Sequence, residues 1–152
     1  MGPATRILLK EILSDAEKSD VIVRIQELSD VVRSNDFWIK GSPFAYSFGW
    51  EYEQEKEEYV GLDSLIGWAP KYQLVFSAMS NQKEDYFYLG DLCVEFSKRL
   101  NGFVDLGLPL ADFTSDEFIL NDPEHVLYDG ASLLGPSLVK LWRDHKDFWL
   151  VK

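Results

Sequence analysis

Apolar positions along the chain alternate between two periods, and the changes mark the elements. Ile7-Leu8-Leu9 opens an apolar run that Ile12 and Leu13 continue, so residues 5–13 read as a strand with Lys10 and Glu11 at its edge. Ser14-Asp15 then offers a helix cap, because a side-chain oxygen there accepts from the free amides of the first turn. From that cap to Arg33 the period is helical. Val21, Ile25, Leu28 and Val32 fall on one face, with Glu17, Lys18, Arg24 and Glu27 largely elsewhere. Residues 37–40 and 44–52 read as two strands around the turn Gly41-Ser42-Pro43. In the second, Phe44, Tyr46, Phe48 and Trp50 share one face, and Ala45, Ser47, Gly49 and Glu51 the other.

Leu62, Leu65 and Ile66 give a short helix within residues 59–68, which Ala69-Pro70 breaks. Residues 71–80 form the clearest strand, with apolar side chains on both faces, which places it centrally in a sheet. A second long helix spans residues 84–100 on the stripe Leu89, Leu92, Cys93, Phe96 and Leu100. Lys98 and Arg99 favour its C-terminal dipole, and Asn101-Gly102 supplies a left-handed cap. Residues 103–106 follow as a strand ending at Gly107. Residues 109–123 are irregular and acidic, with Phe113, Phe118, Ile119 and Leu120 expected to pin them to the body. Residues 124–128 read as a short strand. Gly135-Pro136-Ser137 opens a last helix with Leu138, Leu141, Trp142 and His145 on one face, and residues 148–151 dock as an apolar tail.

This order predicts an α+β fold: an antiparallel or mixed sheet, two long helices packed on one face, and a C-terminal helical extension. The arrangement accommodates the split β-α-β topology of a ferredoxin-like core. No repeat or linker interrupts the pattern, so residues 1–152 read as a single domain.

Composition narrows the function. With 152 residues, 46% hydrophobic and 14% aromatic, the chain can bury a full core and is not a disordered acidic tail. The net charge of −11 argues against nucleic-acid and anionic-membrane partners, which present negative surfaces themselves. No run approaches the ~20 apolar residues of a membrane span, and Met1-Gly2-Pro3-Ala4-Thr5-Arg6 lacks the long apolar run expected of a signal peptide. With Cys93 as the sole cysteine, a cytoplasmic protein is the expectation.

Candidate chemistry is sparse. Asp122 and Glu124 near His125 are the available hard-cation set, without the spacing of a calcium loop. Cys93 sits on an apolar helix stripe, a poor setting for a nucleophile. No nucleophile elbow, dinucleotide fingerprint or phosphate loop is present, and no cofactor is expected. The charge is uneven, however. Residues 51–58 hold five glutamates against one lysine, a net of −4, directly after the aromatic strand. Taken alone, such a run reads as a solvated turn or loop. The aromatic strand has two readings: core, or a face that leaves Tyr46 or Trp50 for a partner.

Five stretches together carry a resemblance. They are the Met1-Gly2-Pro3 start, Ile66-Gly67-Trp68-Ala69-Pro70, Ser77-Ala78-Met79-Ser80-Asn81, the junction Leu100-Asn101-Gly102-Phe103-Val104-Asp105-Leu106-Gly107, and the ending from Leu141-Trp142-Arg143 to Val151-Lys152. They resemble an uncharacterised bacterial family of small single-domain proteins of unknown function, some of which look like immunity proteins of polymorphic toxin systems. The motifs are structural and bring no catalytic residues. Leu108 departs from the second glycine expected after Gly107.

The resemblance and the charge together imply a non-catalytic protein-binding domain, an immunity-type inhibitor that covers a basic toxin site. Glu51, Glu53, Glu55, Glu57 and Glu58 would steer the partner, and Tyr46, Trp50 and Tyr52 would anchor it. Asp112, Asp116, Glu117, Asp122 and Glu124 form a second candidate acidic face. The alternatives are a small carboxylate- or metal-dependent hydrolase around His125, and a self-associating structural subunit that buries its own aromatic strand.

Overall fold

The computed structural model describes residues 2–150, so Val151 of the expected tail lies outside the described residues. The strands are β1 (Ala4–Leu9), β2 (Val31–Arg33), β3 (Asp36–Ile39), β4 (Ser42–Phe48), β5 (Tyr72–Ala78), β6 (Phe103–Asp105), β7 (His125–Tyr128) and β8 (Ala131–Leu134). The helices are α1 (Asp15–Leu28), α2 (Glu53–Glu57), α3 (Asp63–Ile66), α4 (Lys83–Leu100), α5 (Glu117–Leu120) and α6 (Pro136–Arg143). The strands form one sheet in the order β2-β3-β4-β5-β1-β6-β8-β7, with every neighbouring pair antiparallel. β5 is central, as its two apolar faces require. In the segment β4-β5-β1-β6, α1 follows β1 and α4 links β5 to β6, which is split β-α-β connectivity. The hairpins β2-β3 and β7-β8 extend it at both edges.

Alternation along the strands sorts side chains to two faces. Ile7, Leu74, Phe76, Phe37, Phe44, Tyr46 and Val104 pack with Val21 and Ile25 of α1, Leu89 and Phe96 of α4, and Leu138 and Trp142 of α6. This main core carries both long helices on one face, as expected. The opposite face carries a smaller core of Leu8, Leu133, Tyr59 and Leu62, closed by Trp50, Ile66, Trp68 and Phe103. The segment from α2 to α3 therefore covers part of the second face.

Two expectations about element ends need correction. First, β1 stops at Leu9, and Ile12 is exposed. Second, α1 ends at Leu28. Ser14 and Glu17 form its capping box, each side chain bonding the other's amide. At its far end Ser29 is extended, and the Asp30 amide donates to the Trp38 carbonyl at 2.8 Å. Val31 and Val32, whose β-branched side chains suit a strand, then pair with Trp38 and Phe37. The pattern also left unassigned residues 131–134, which form a strand that joins β7 through Asp129-Gly130, both at positive φ, in a two-residue hairpin.

The end of the chain docks as far as it is described. The Phe148 ring lies 5.7 Å from Phe87 and 6.0 Å from Trp142, and Trp149 stacks on Tyr86 at 4.1 Å. Gly90, inside α4, makes room for this. A β-carbon there would lie 2.6 Å from the Phe148 ring and 2.7 Å from the Arg143 side chain.

Candidate functional site

The glutamate run is not a loop. Glu53–Glu57 form α2, one and a half turns lying on the second sheet face. Carboxylates in a first helical turn favour its dipole, and the sheet supplies the rest of the anchorage. Arg6 donates to Glu58 at 2.9 Å and lies 3.7 Å from Glu55. Gln73 Nε2 donates to Glu55 at 3.0 Å, and the Glu51 amide donates to the same carboxylate. Just past the helix, Tyr59 donates its hydroxyl to Asp105 at 2.6 Å and accepts from Arg6 at 3.4 Å. Burial, followed by the Asp105 charge, holds the Tyr59 phenol well above its ordinary range. Arg6 is pushed the other way by burial, but contacts with Tyr59 and Glu58 outweigh this and raise it.

Two of the five glutamates, Glu55 and Glu58, are thus tied to the body. Among the described residues Glu51, Glu53 and Glu57 form no ion pair and face solvent. Glu53, Glu57 and Asp63 line a groove of about 440 Å³ together with Lys56, Val60 and Pro70. Tyr52 is 61% exposed and Val60 74% exposed, and Leu65 is exposed on α3. Glu51 beside Tyr52 raises that phenol as well. The arrangement is a fixed acidic concavity with apolar side chains at its margin.

The expected anchors fare differently. Tyr46 is 7% exposed and packs 6.1 Å from Phe37 and 5.7 Å from Phe48, so it belongs to the main core and offers nothing to a partner. Trp50 leaves the stripe because Gly49, at φ +82°, turns the chain after β4. Its ring lies 6.0 Å from Tyr59 and its indole N–H donates to the Lys71 carbonyl, so it closes the second core. Tyr52 is the aromatic that stays outside. Sequence reading missed Arg6, Gln73, Tyr59 and Asp105 as the anchors of the acidic helix. Arg6 carried a usable signal, since it breaks an apolar strand and alternates in phase with Leu8.

The residues around His125 are structural. The Leu120 carbonyl accepts from His125 Nδ1 at 2.8 Å, which leaves Nε2 to accept from the Ser132 hydroxyl at 2.6 Å. Ser132 is fully buried and accepts from the Leu110 amide. Asp122 accepts from the Glu124 amide, and Glu124 accepts from the Leu138 amide in the first turn of α6. Asp116 caps α5 and pairs with His145 at 2.9 Å. Of the second acidic face, Asp112 and Glu117 are the members left exposed. Among the described residues no three His, Cys, Asp or Glu side chains gather as metal ligands do. Burial pushes the Cys93 thiol up to about 12, so it stays protonated beside the Thr5 hydroxyl. Among the described residues no helix is long and apolar enough to cross a membrane.

Residues 1–152 match a family model described as "Family of unknown function (DUF6368)". No curated protein and no solved structure matches the chain.

Proposed function

Because the chain belongs to the DUF6368 family, whose function is unknown, we propose its role from the groove: a non-catalytic domain that holds a basic protein partner on α2 and its flanks. The observation that carries this reading is the contrast within one run of glutamates. Glu55 and Glu58 are fastened to Arg6 and Gln73, while Glu51, Glu53 and Glu57 are exposed and form no ion pair among the described residues. A rigid surface of uncompensated carboxylates attracts a cationic partner over several ångströms and speeds encounter. Tyr52, Val60 and Leu65 then supply apolar area to be buried once contact forms. An immunity-type inhibitor that covers the basic site of a toxin is the biological form we favour, on the motif resemblance and on this charge.

The test separates steering from structure. Replacing Glu51, Glu53 and Glu57 by glutamine leaves the Arg6 and Gln73 anchors intact. Stopped-flow association with a basic protein domain selected for binding to this chain should slow about tenfold at low salt, and its salt dependence should flatten. Tyr52→Ala should act on dissociation instead. An association rate that ignores the three substitutions at every ionic strength refutes the steering role.

A further inference from the structure

Phe118 should lie inward if it pins residues 109–123 to the body. Instead it is 92% exposed, more than any other large apolar side chain among the described residues. This is not a frayed segment. The Phe118 amide donates to Asp116 at 2.9 Å, and Asp116 is in turn held by His145 at 2.9 Å. Ile119, the next residue, is buried in the main core, and the Leu120 carbonyl is fixed by His125 at 2.8 Å. A single helical turn fastened at three successive points aims one phenyl ring into water.

The surroundings state what would cover the ring. A concavity of about 460 Å³ adjoins it, lined by Glu117, Asn121, Asp122 and Pro123. Neither carboxylate makes an ion pair among the described residues, and no cation lines the hollow. A second copy of this chain would bring the same acidic surface and a further net charge of −11. Charge therefore selects against self-docking. We propose that the Phe118 face is a second docking surface, for a basic protein segment that offers an apolar hole to the ring and Lys or Arg to Glu117 and Asp122. It is separate from the α2 groove, because α5 feeds the main core while α2 lies on the other face of the sheet. The proposal stands whether or not the groove binds anything.

Phe118→Ala is a clean variant, since the ring supports no packing and the melting temperature should not fall. A random-peptide display library selected on the wild-type protein, followed by synthesis of the selected peptides, provides the probe. The expected result is peptides that pair Lys or Arg with apolar residues and lose about 30-fold in affinity on Phe118→Ala. Glu117→Gln with Asp122→Asn should weaken them and flatten their salt dependence, while the Glu51, Glu53 and Glu57 glutamine variant should bind them unchanged. The proposal is overturned by a selection that yields no Phe118-dependent peptide, by selected peptides without basic residues, or by binding that follows the α2 glutamates instead. A wild-type dimer in sedimentation that Phe118→Ala dissolves would likewise overturn it, by assigning the face to a second copy.

Discussion

Tyr59 joins the sheet to the acidic helix through one hydroxyl, and its ionisation reports on that junction. Its phenol is held above its ordinary value chiefly by burial and then by Asp105. The folded state therefore keeps the proton that the unfolded chain gives up. The associated stability is complete below pH 10 and is lost as pH rises through the folded value. Chemical denaturation followed from neutral to strongly alkaline pH should show this decline, and Tyr59→Phe should remove most of it. An equal decline in both proteins would place the alkaline sensitivity elsewhere. Arg6 and Tyr46 show how far single residues were legible. Arg6 is a charge out of place in an apolar strand, yet its partners Glu55, Glu58 and Tyr59 all come from one distant segment that no spacing connects to it. Tyr46 and Trp50 share a period-2 stripe in sequence, and only the left-handed turn at Gly49 sends them to different cores.

Elements were read most securely where the signal was local. The end of α4 combined Lys98, Arg99 and Asn101-Gly102, and Asn101 does adopt the left-handed conformation at φ 51°, ψ 47°. The end of α1 was not legible, because Val32 continues the helical stripe and also fits opposite Phe37 in a strand. What decides between these is the Trp38 carbonyl, which takes the Asp30 amide from across the hairpin. The β7-β8 hairpin did carry a local signal, Asp129-Gly130, which selects a tight turn. The glutamate run was misread because its self-repulsion is offset by sheet residues remote in sequence. At this scale the contact of α4 with the chain end makes a definite prediction. Gly90→Ala would set a methyl 2.6 Å from Phe148 and 2.7 Å from Arg143, side chains that can shift but are themselves packed. We expect a loss of about 1–3 kcal/mol, the usual range for an overfilled site. Thermal unfolding followed by the fluorescence of the five tryptophans, Trp142 and Trp149 among them, measures it. An unchanged midpoint would mean the tail yields freely.

For the whole molecule, the sheet is the partition. One face carries α1, α4, α5 and α6 over the main core, and the other carries α2 and α3 over the smaller one. Among the described residues the two proposed surfaces share no residue and no hydrogen-bond partner. Their variants should therefore combine additively: the Glu51, Glu53 and Glu57 glutamine set and Phe118→Ala should sum in unfolding free energy to within about 0.5 kcal/mol. A larger discrepancy would reveal coupling through the sheet. The global charge and the α+β architecture were readable from composition and order, but the division of charge between anchored and free carboxylates was not. That division depends on which glutamates the opposing strands reach.

The open sheet also has two ends. β2, of three residues, and β7, of four, are each the outer strand of a hairpin, paired on one side and open on the other. Edge strands are templates on which another chain can add, and extension into fibres needs a long, flat row of free amides and carbonyls. With only a few residues exposed at either margin, and like charge on every copy, neither rim gives a polymerising strand much to hold. An eight-stranded sheet can in this way remain unclosed without seeding its own aggregation.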